Sequence, residues 1–484
     1  MTRILNGVRF PQTGIDKLSP ESFRQRIVQT CRKGGRIVSL FVTATEEGPL
    51  EIAVLSTTGG ELEALSTILS KSNPSLTSEC PQAHLFEREI AEESGLEFLE
   101  HPGLKPVRFL KEPIGQTRYY TVEGEGIHEV AVGPVHAGII EPGHFRFQCE
   151  GEQVLHLEIS LGYQHRGVEP ALVGGPNPRT LHLMETLAGD TTIGHAWAYC
   201  LAVEALSGGS VPARAQTLRG VALELERLAN HTGDLGALAG DVGFLPTMSY
   251  CGRIRGDYLN MTALLCGNRF GRGMLCPGGV GFDMDASRVE ELRRRLTQAA
   301  ADTASAVNLL WGSNSVMSRF EQTGIVSTQT AMDLGLVGVA ARACGLERDI
   351  RFEFPWGPYR FAQIPVMTME TGDVFARAQV RWLEIQQSID FIQAELTALP
   401  GGEIRSPQRP IQPNAAVVTM VEGWRGEIAH VAMTDGSGRF ARYKIVDPSF
   451  HNWTGLSMAM RNQPISDFPL CNKSFNLSYC GHDL

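Results

Sequence analysis

The sequence lacks several features that would assign it at once to a functional class. It has no run of about 18 apolar residues, so no segment is expected to span a bilayer by itself. Asp and Glu outnumber Lys and Arg by 53 to 43, and a net charge of −10 makes binding to nucleic acid through charge unexpected. Residues 1–14 lack the apolar core and cleavage site of a secretory signal, which favours a cytosolic protein.

The ten cysteines also lack a metal-binding spacing. None of them forms a Cys-x-x-Cys pair, so the sequence contains no local thiolate clamp for zinc, an iron–sulfur cluster or nickel. Scattered cysteines in a long cytosolic chain are usually buried free thiols, and we expect that here. No internal repeat or low-complexity segment is evident.

What is present is an α+β pattern that divides into two modules. In the first, residues 1–125, the segments 36–43 and 51–56 are rich in β-branched and apolar residues and predict strands. Ser19 directly before a proline predicts a capped helix over residues 20–33. The first module is therefore predicted to be a small α/β domain.

A second, short acidic helix is predicted from His84 to Gly95, where the glycine ends it. Its charged residues Glu87, Arg88 and Glu89 are interpreted as a solvated face. The pattern Phe-Glu-Arg-Glu, Gly and His-Pro-x-Leu over residues 86–104 resembles the end of the 30-kDa-type (C-type) subunit of complex I.

The second module, residues 126–484, is predicted to be mainly helical, with a β-hairpin at its start and a small β element near its end. The hairpin is indicated by alternating apolar residues, with a turn at residues 150–152 between the two strands. The alternating set is Phe145, Phe147 and Cys149 on one strand, and Leu155, Leu157, Ile159 and Leu161 on the other. The preceding loop carries His136, Glu141 and His144.

Helical spacing returns after Pro212, where Glu224 and Arg227 are spaced for an ion pair and His231 shares their face. The glycines of residues 267–280 do not form a phosphate loop, since the Gly-Lys-Ser/Thr ending is missing, and we interpret them as close backbone approach between helices. A further helix is predicted over 374–392, and strands over 416–445 around an Asp-Gly turn.

The run from His165 to Glu169, followed by the run from Glu185 to His195, resembles the start of the large subunit shared by membrane-bound nickel–iron hydrogenases and complex I. Further matches are Pro-Gly-Gly-Val at 277–280, Glu-x-x-Arg-Gly-Glu at 422–427 and Asp-Gly-x-Gly-Arg at 435–439. With the 30-kDa-like pattern, the resemblance implies a fused 30-kDa/49-kDa-like large subunit of the energy-converting, formate-hydrogenlyase type (group 4).

The resemblance fails at the metal ligands. The hydrogenases supply four cysteines, and the corresponding positions here are Ala188, Thr191, Ser478 and Gly481, with Cys480 out of register. A nickel–iron site needs soft anionic sulfur, which alanine, glycine and neutral hydroxyls cannot replace. We therefore expect no metal in this chain, and the sequence resembles a branch of the family without the metal-binding cysteines.

The quinone-binding pattern of the 49-kDa (D-type) subunit of complex I is also incomplete. The resemblance implies a tyrosine that binds the quinone head, but Gly189 stands at that position and Thr186 at the position of an arginine. His136 matches the Gly-Pro-x-His loop at the head of the quinone pocket, and Glu141 matches a Glu-Pro that the hydrogenases use for proton movement. Quinone thus remains a candidate ligand.

The resemblance also implies roles for retained polar residues. Proton handling is expected at the four residues His136, Glu141, His144 and Asp190, with a relay through Glu141 and His144. Contact with a cofactor is expected at the four residues His165, Arg166, His195 and His231. Of these, Arg166 and His231 match positions near the terminal 4Fe–4S cluster of the neighbouring small subunit. Ion pairs that only hold helices together are the alternative for His195 and His231.

Two classes of function remain open. In the first, the chain caps an iron–sulfur small subunit similar to the B-type subunit of complex I, and electrons meet an acceptor in its pocket. In the second, it is a non-catalytic scaffold that joins that small subunit to antiporter-like and H-type membrane subunits. An active hydrogenase or a quinone-reducing NADH dehydrogenase-type subunit is less favoured. The expected location is the cytoplasmic side of the cell membrane, as a peripheral part of a complex.

Overall fold

A computed structural model describes residues 3–138 and 140–484. Its strands are β1 (Arg3–Ile4), β2 (Phe10–Pro11), β3 (Asp16–Lys17), β4 (Arg36–Thr45), β5 (Gly48–Ser56), β6 (Leu62–Ile68), β7 (Ser72–Pro74), β8 (Glu97–Leu99), β9 (Ile127–Val132), β10 (His144–Glu150), β11 (Gln153–Ser160), β12 (Leu275–Cys276), β13 (Gly279–Val280), β14 (Ala415–Glu422), β15 (Glu427–Thr434) and β16 (Phe440–Val446).

Its helices are α1 (Pro20–Arg32), α2 (His84–Ser94), α3 (Val168–Leu172), α4 (Thr180–Met184), α5 (Thr192–Ser207), α6 (Ala213–Asp241), α7 (Leu245–Cys266), α8 (Ala286–Trp311), α9 (Asn314–Phe320), α10 (Thr328–Leu334), α11 (Gly338–Arg342), α12 (Ile350–Glu353), α13 (Val374–Thr397), α14 (Pro448–Ala459), α15 (Phe468–Phe475) and α16 (Tyr479–Asp483). None of the described helices is both long and apolar enough to cross a membrane. The α+β fold is confirmed.

The first sheet has the order β1-β6-β5-β4, with β3 pairing β6 in parallel. Helix α1 begins as predicted, because the Ser19 Oγ accepts a hydrogen bond from the Ser22 N–H at 3.3 Å. The helix buries Phe23 and Ile27. The predicted strands and the first helix are therefore confirmed.

The predicted second helix is confirmed as α2, ended by Gly95 with φ 76°, but the interpretation of its charged face is wrong. Glu87 is fully buried, where its carboxylate accepts hydrogen bonds from the Ser75 hydroxyl and from the Leu76 N–H, both at 2.6 Å. Glu89 is 2% exposed and bonds to Arg108. Local spacing marks this face as polar but does not show which distant segments cover it.

The second sheet has the order β11-β10-β9, so the predicted hairpin is confirmed and a third strand joins it. The alternation on β11 is partly wrong. A bulge lies between Gln148 and Cys149 and places Cys149 opposite Val154. Val154 is therefore fully buried, whereas Leu155 is only half-buried.

The helical body centres on α6, a 29-residue helix that packs mainly against α7 and α13. Helix α5 lies against β14 and β15 of the last sheet, whose order is β16-β15-β14-β2. The glycines before residue 281 do mark close approach, but not between helices. A Cβ on Gly279 would lie 2.0 Å from the Ile404 carbonyl oxygen, so β13 packs directly on the extended segment 404–406.

Many contacts join the two predicted modules. Strand β2 pairs with Ala415 and Ala416 of β14, and the Arg36 guanidinium lies 2.6 Å from the Glu427 carboxylate. The predicted boundary between residues 125 and 126 falls in the turn before β9 and remains a prediction. The ten cysteines are free, seven of them buried, which confirms the expectation of free thiols.

Candidate functional site

The segments that carry the family motifs meet at the beginning of α5. The loop before α5 contains Ala188 and Thr191, and residues 478–484 fold back beside it. The contact is direct, because the Arg425 guanidinium donates both to the carboxylate of Asp190 at 2.6 Å and to the carbonyl oxygen of Asn476 at 2.6 Å. The fold therefore brings the two halves of the expected metal site together.

The side chains at the four ligand positions do not fit a nickel–iron centre. Ala188 has no donor atom, and the hydroxyls of Thr191 and Ser478 are occupied in hydrogen bonds to Asp190 and the Gly481 N–H. A Cβ on Gly481 would lie 2.7 Å from the Asp447 carboxylate, so a longer side chain would force that group to move. Among the described residues, no group of three or more His, Cys, Asp or Glu could hold a metal ion.

Asp190 is not an unpaired carboxylate. Its two oxygens accept from the two terminal nitrogens of Arg425 at 2.6 and 2.8 Å, a bidentate pair. Burial would raise the pKa of Asp190, but Arg425 outweighs burial and lowers it. Asp190 is therefore held in an ion pair rather than as an isolated carboxylate.

Glu141 lies against residues 479 and 480. Its carboxylate accepts a hydrogen bond from the Tyr479 N–H at 3.3 Å and lies next to the Cys480 thiol. Burial, together with the charge of Glu141, raises the pKa of Cys480 to about 11, so the thiol keeps its proton at neutral pH. Glu141 thus has a protonated neighbour that the sequence did not predict.

The two loop histidines are held by backbone carbonyls rather than by Glu141. The His136 Nε2 lies 2.9 Å from the Gly143 carbonyl oxygen, and the His144 Nδ1 lies 3.4 Å from that of Gly133. Burial lowers the pKa of His144, and its Nε2 is buried without a hydrogen-bond partner in the described part of the chain. The predicted relay from Glu141 to His144 remains a prediction.

His195 belongs to a buried chain of hydrogen bonds that we call the histidine chain: Asp447, His195, His430 and Tyr443. The His195 Nε2 lies 3.0 Å from the Asp447 carboxylate, and its Nδ1 lies 3.2 Å from the His430 Nε2. The His430 Nδ1 lies 2.9 Å from the Tyr443 hydroxyl. Burial, then the neighbouring His195, lowers the pKa of His430 far below its usual value.

His231 belongs to a different network, which we call the ion cluster: Glu224, Arg227, His231, Arg342, Asp349, Arg351, Glu384 and Glu422. The fully buried His231 Nε2 lies 2.9 Å from the Glu384 carboxylate. Burial lowers the pKa of His231 to about 4 against the opposing effect of Glu384. The predicted pair of Glu224 and Arg227 is confirmed, at 3.0 Å.

His165 and Arg166 lie at the edge of the site. The His165 Nδ1 lies 2.8 Å from the Asp483 carbonyl oxygen. Arg166 is exposed, although its guanidinium donates to the carbonyl oxygens of Thr186 and Leu187 at 2.7 and 2.9 Å. Of the four predicted cofactor contacts, Arg166 is therefore the one most open to a partner.

Sequence reasoning missed several site residues. Asp447, which joins the histidine chain to Gly481, is also the cap of α14, where its carboxylate accepts from the Ser449 N–H at 2.8 Å. An acidic residue directly before Pro448 is a helix-start signal that could have drawn attention to it. His430 and Tyr443 lie on the neighbouring strands β15 and β16, where their side chains bond to each other, and no local pattern marks that partnership.

The chain with this arrangement around α5 is similar to large subunits of complex I and of related hydrogenases. The family described as the respiratory-chain NADH dehydrogenase, 49 Kd subunit, matches residues 241–415 and 408–483. The chain is 31% identical over 350 residues to the carbon monoxide-induced hydrogenase of Rhodospirillum rubrum, covering 72% of this chain and 97% of that protein.

Two further relatives extend the comparison. Hydrogenase-4 component G of Escherichia coli (strain K12) is 30% identical over 443 residues, which cover 86% of this chain and 77% of that protein. NADH-quinone oxidoreductase subunit 4 of Thermus thermophilus is 29% identical over 364 residues, which cover 69% of this chain and 89% of that protein. The chain therefore belongs to the 49-kDa subunit family of complex I and related hydrogenases, which confirms the predicted resemblance.

Proposed function

We propose that this chain is the hydrophilic large subunit of a membrane-bound, ion-translocating oxidoreductase complex whose nickel–iron site has been lost. In this proposal it packs on an iron–sulfur small subunit that resembles the B-type subunit of complex I, on the cytoplasmic side of the membrane. Antiporter-like and H-type membrane proteins complete the complex. The relatives support this assembly, since one is a hydrogenase-4 component and another an NADH-quinone oxidoreductase subunit.

One observation carries the proposal. Polar contacts surround the positions that correspond to the metal ligands: His195 bonds to Asp447, and Arg425 pairs with Asp190. The four ligand positions themselves hold no thiolate. At Gly481 the Asp447 carboxylate occupies the space that a ligand side chain would need. This combination of a hydrogen-bonded surround and absent thiolates supports the proposal.

The residues that would work in such a complex follow from their positions. We assign Arg166 to the contact with the small subunit and its 4Fe–4S cluster, because a positive group beside a cluster raises the cluster's potential. We assign proton transfer to Glu141, together with His136, His144 and Asp190. A quinone is a candidate acceptor, although Gly189 offers no hydroxyl for its head.

The scaffold alternative is favoured by the pairing of Asp190 with Arg425. A half-buried carboxylate whose two oxygens both bond to one arginine needs no catalytic role to explain its position. In this alternative the first module, residues 1–125, and the second, residues 126–484, only join the small subunit to the membrane arm.

The metal content of the purified chain tests the central claim. We expect elemental analysis to find no stoichiometric nickel or iron in the isolated chain, because a nickel–iron site needs four thiolates. About one nickel per chain would contradict the proposal.

Charge reversal at Arg166 tests the contact with the small subunit. The Arg166→Glu variant should co-purify less of the iron–sulfur subunit or shift the potential of its cluster, while Arg360→Glu, at an exposed arginine outside the site, should do neither. Assembly and potential equal to those of the unmodified complex would show that Arg166 does not lie at this interface.

Replacing Glu141 with Gln separates the catalytic proposal from the scaffold alternative. Gln keeps the shape and removes the titrating proton, so the complex should assemble but lose turnover coupled to the membrane. Turnover equal to that of the unmodified complex across the pH range would favour the scaffold.

A further inference from the structure

A cavity of about 730 Å³ lies at the junction of the two predicted modules. Its walls come from the start of α2, the segment 101–107, the linker residues 118–121, β11 and α14. None of the predicted site residues is among the described residues that line it. Its volume falls in the range of ordinary small-molecule sites, about 300–1,000 Å³.

The charges on the walls are strongly unequal. The cationic side chains are Arg88, Lys105, Arg118 and Arg461, and the one carboxylate among the described lining residues is Glu158. That carboxylate is already used, since it bonds to Lys105 and accepts from the Tyr120 N–H at 2.8 Å. The cavity therefore offers positive charge that its own lining does not balance.

The arginines of the wall differ in how many hydrogen bonds they make within the protein. Arg118 and Arg461 are exposed and make no side-chain hydrogen bond or ion pair with any described residue. Arg88 donates only to the carbonyl oxygens of Lys105 and Pro106, both at 2.8 Å, and burial lowers its pKa to about 10. Glu158 and Glu92 offset that burial only in part, so an anion in the cavity would further stabilise the charged Arg88 guanidinium.

The histidines of the wall do not change this balance. Burial, then the charge of Arg88, lowers the pKa of His84 to about 3. Burial also lowers the pKa of His101 and of His156, the latter with help from Arg461. These rings are neutral near pH 7 and can serve as hydrogen-bond partners.

The rest of the lining is apolar and aromatic. Leu85, Leu161, Met458 and Trp453 contribute to it, together with the ring of Tyr119. Trp453 is only 3% exposed, and its indole N–H has no acceptor in the described part of the chain. A buried N–H without a partner in the protein can donate to an ordered water or to a bound acceptor. The cavity thus joins an apolar wall to cationic donors.

We propose that this cavity binds a small organic anion with an aromatic or apolar body and one phosphate or carboxylate group. The arginine forks suit both groups, because each oxyanion accepts two parallel N–H bonds. The apolar body would lie against Trp453 and Met458. Neither Glu141 nor Asp190 lines this cavity.

Three probes that share a naphthyl core, together with inorganic phosphate, test the proposal on the full chain by calorimetry: 1-naphthyl phosphate, 1-naphthoate and 1-naphthol. We expect at least one naphthyl anion to bind about tenfold or more tightly than naphthol and inorganic phosphate, since each of these lacks one half of the recognition. Which anion binds better identifies the head group. Naphthol binding equal to that of both anions, or no anion binding at millimolar concentration, overturns the proposal.

Substitutions of residues that line the cavity test whether the anion binds there. The double variant Arg118→Gln/Arg461→Gln should weaken anion binding about tenfold or more, and Ser457→Trp should block it by filling the cavity. The matched control is Arg360→Gln, an exposed arginine outside the lining. If Ser457→Trp fails to fold, the arginine variants decide. Anion binding unchanged in the double variant overturns the proposal.

Discussion

The ion cluster around Glu384 and the histidine chain from Asp447 to Tyr443 are both buried, yet they keep their polar groups in different states. In the ion cluster, Glu384 accepts from the Arg342 Nε at 2.9 Å and from His231, and these partners hold its pKa far below the usual value despite burial. In the histidine chain, burial keeps His430 neutral. The first region is stabilised by charge balance, the second by hydrogen bonds with little charge.

This difference shows that one protein interior can hold both groups of fixed charge and groups that can pass on a proton. Arginine and a strongly paired glutamate do not change charge near neutral pH. A chain of imidazoles and a phenol has donors and acceptors that can exchange roles. Both regions nevertheless contain a group that can respond to pH, because burial raises the pKa of Glu422 in the ion cluster to about 7.

Glu384→Gln should have the largest effect, because it breaks the ion cluster at its centre. Arg342, His231 and Arg227 would lose the buried carboxylate that all three contact, and the loss of unfolding free energy should be about 3–5 kcal/mol. Denaturant melts measure it. Glu403→Gln, at an exposed carboxylate, is the control and should change little. A loss below that of ordinary surface changes would show that the cluster is not charge-balanced.

Asp447→Asn should have a smaller effect, about 1–3 kcal/mol, because an amide still bonds to His195 but loses the charge. Burial would raise the pKa of Asp447, but its bond to His195 outweighs burial and lowers it. The stability from this carboxylate is thus present above its ordinary pKa of 3.8 and is lost as pH falls through the lower folded value. The variant and the unmodified protein should therefore converge in acid, and Asp390→Asn, at an exposed aspartate, should match the latter throughout.

His430 should contribute to the pH dependence of stability, together with the other buried histidines His231 and His84. Its pKa is depressed in the fold, so the unfolded chain binds more protons below its ordinary value of 6.5, and stability falls as pH decreases from there. His430→Gln should make this slope shallower by about 1.4 kcal/mol per pH unit between about pH 6 and 5. His182→Gln, at an exposed histidine, should leave the slope unchanged. An unchanged slope in His430→Gln would mean that His430 is charged in the fold.

Tyr443→Phe should be the mildest change, because it removes one hydroxyl from the end of the histidine chain. The expected cost is about 1 kcal/mol, with the His430 Nδ1 left without its partner at 2.9 Å. Tyr120→Phe, at a tyrosine that is 57% exposed, provides the comparison in the same melts. Equal stability of both variants would show that the Tyr443 hydroxyl does not contribute to the histidine chain.

A single sequence reveals features that depend on neighbouring residues but not those that depend on distant ones. Ser19 before Pro20, Gly95 after an acidic helix and the alternating residues of β10 are local signals, and each predicted its element correctly. The pair of Glu224 and Arg227 was also predictable, since one helical turn separates the two residues.

Partners that are distant in the chain could not be predicted. Arg342 and Glu384 lie 42 residues apart, and His195 and His430 lie 235 apart, so no local period connects them. Glu87 is an example of a residue whose environment was predicted wrongly for this reason. Its helical position suggests a solvated face, but the segment 75–77 folds over it and supplies its hydrogen bonds.

The pairing of β2 with β14 has a consequence for how the chain is assembled. Residues near its beginning complete a sheet whose other strands lie about 400 positions later, with Phe10 opposite Ala416. If the two modules were separate polypeptides, this strand and the contact of Arg36 with Glu427 would form in a bimolecular step that depends on concentration. The covalent linker replaces that step by a first-order one at a high effective concentration, so the two modules accumulate in equal amounts and dock without searching for each other.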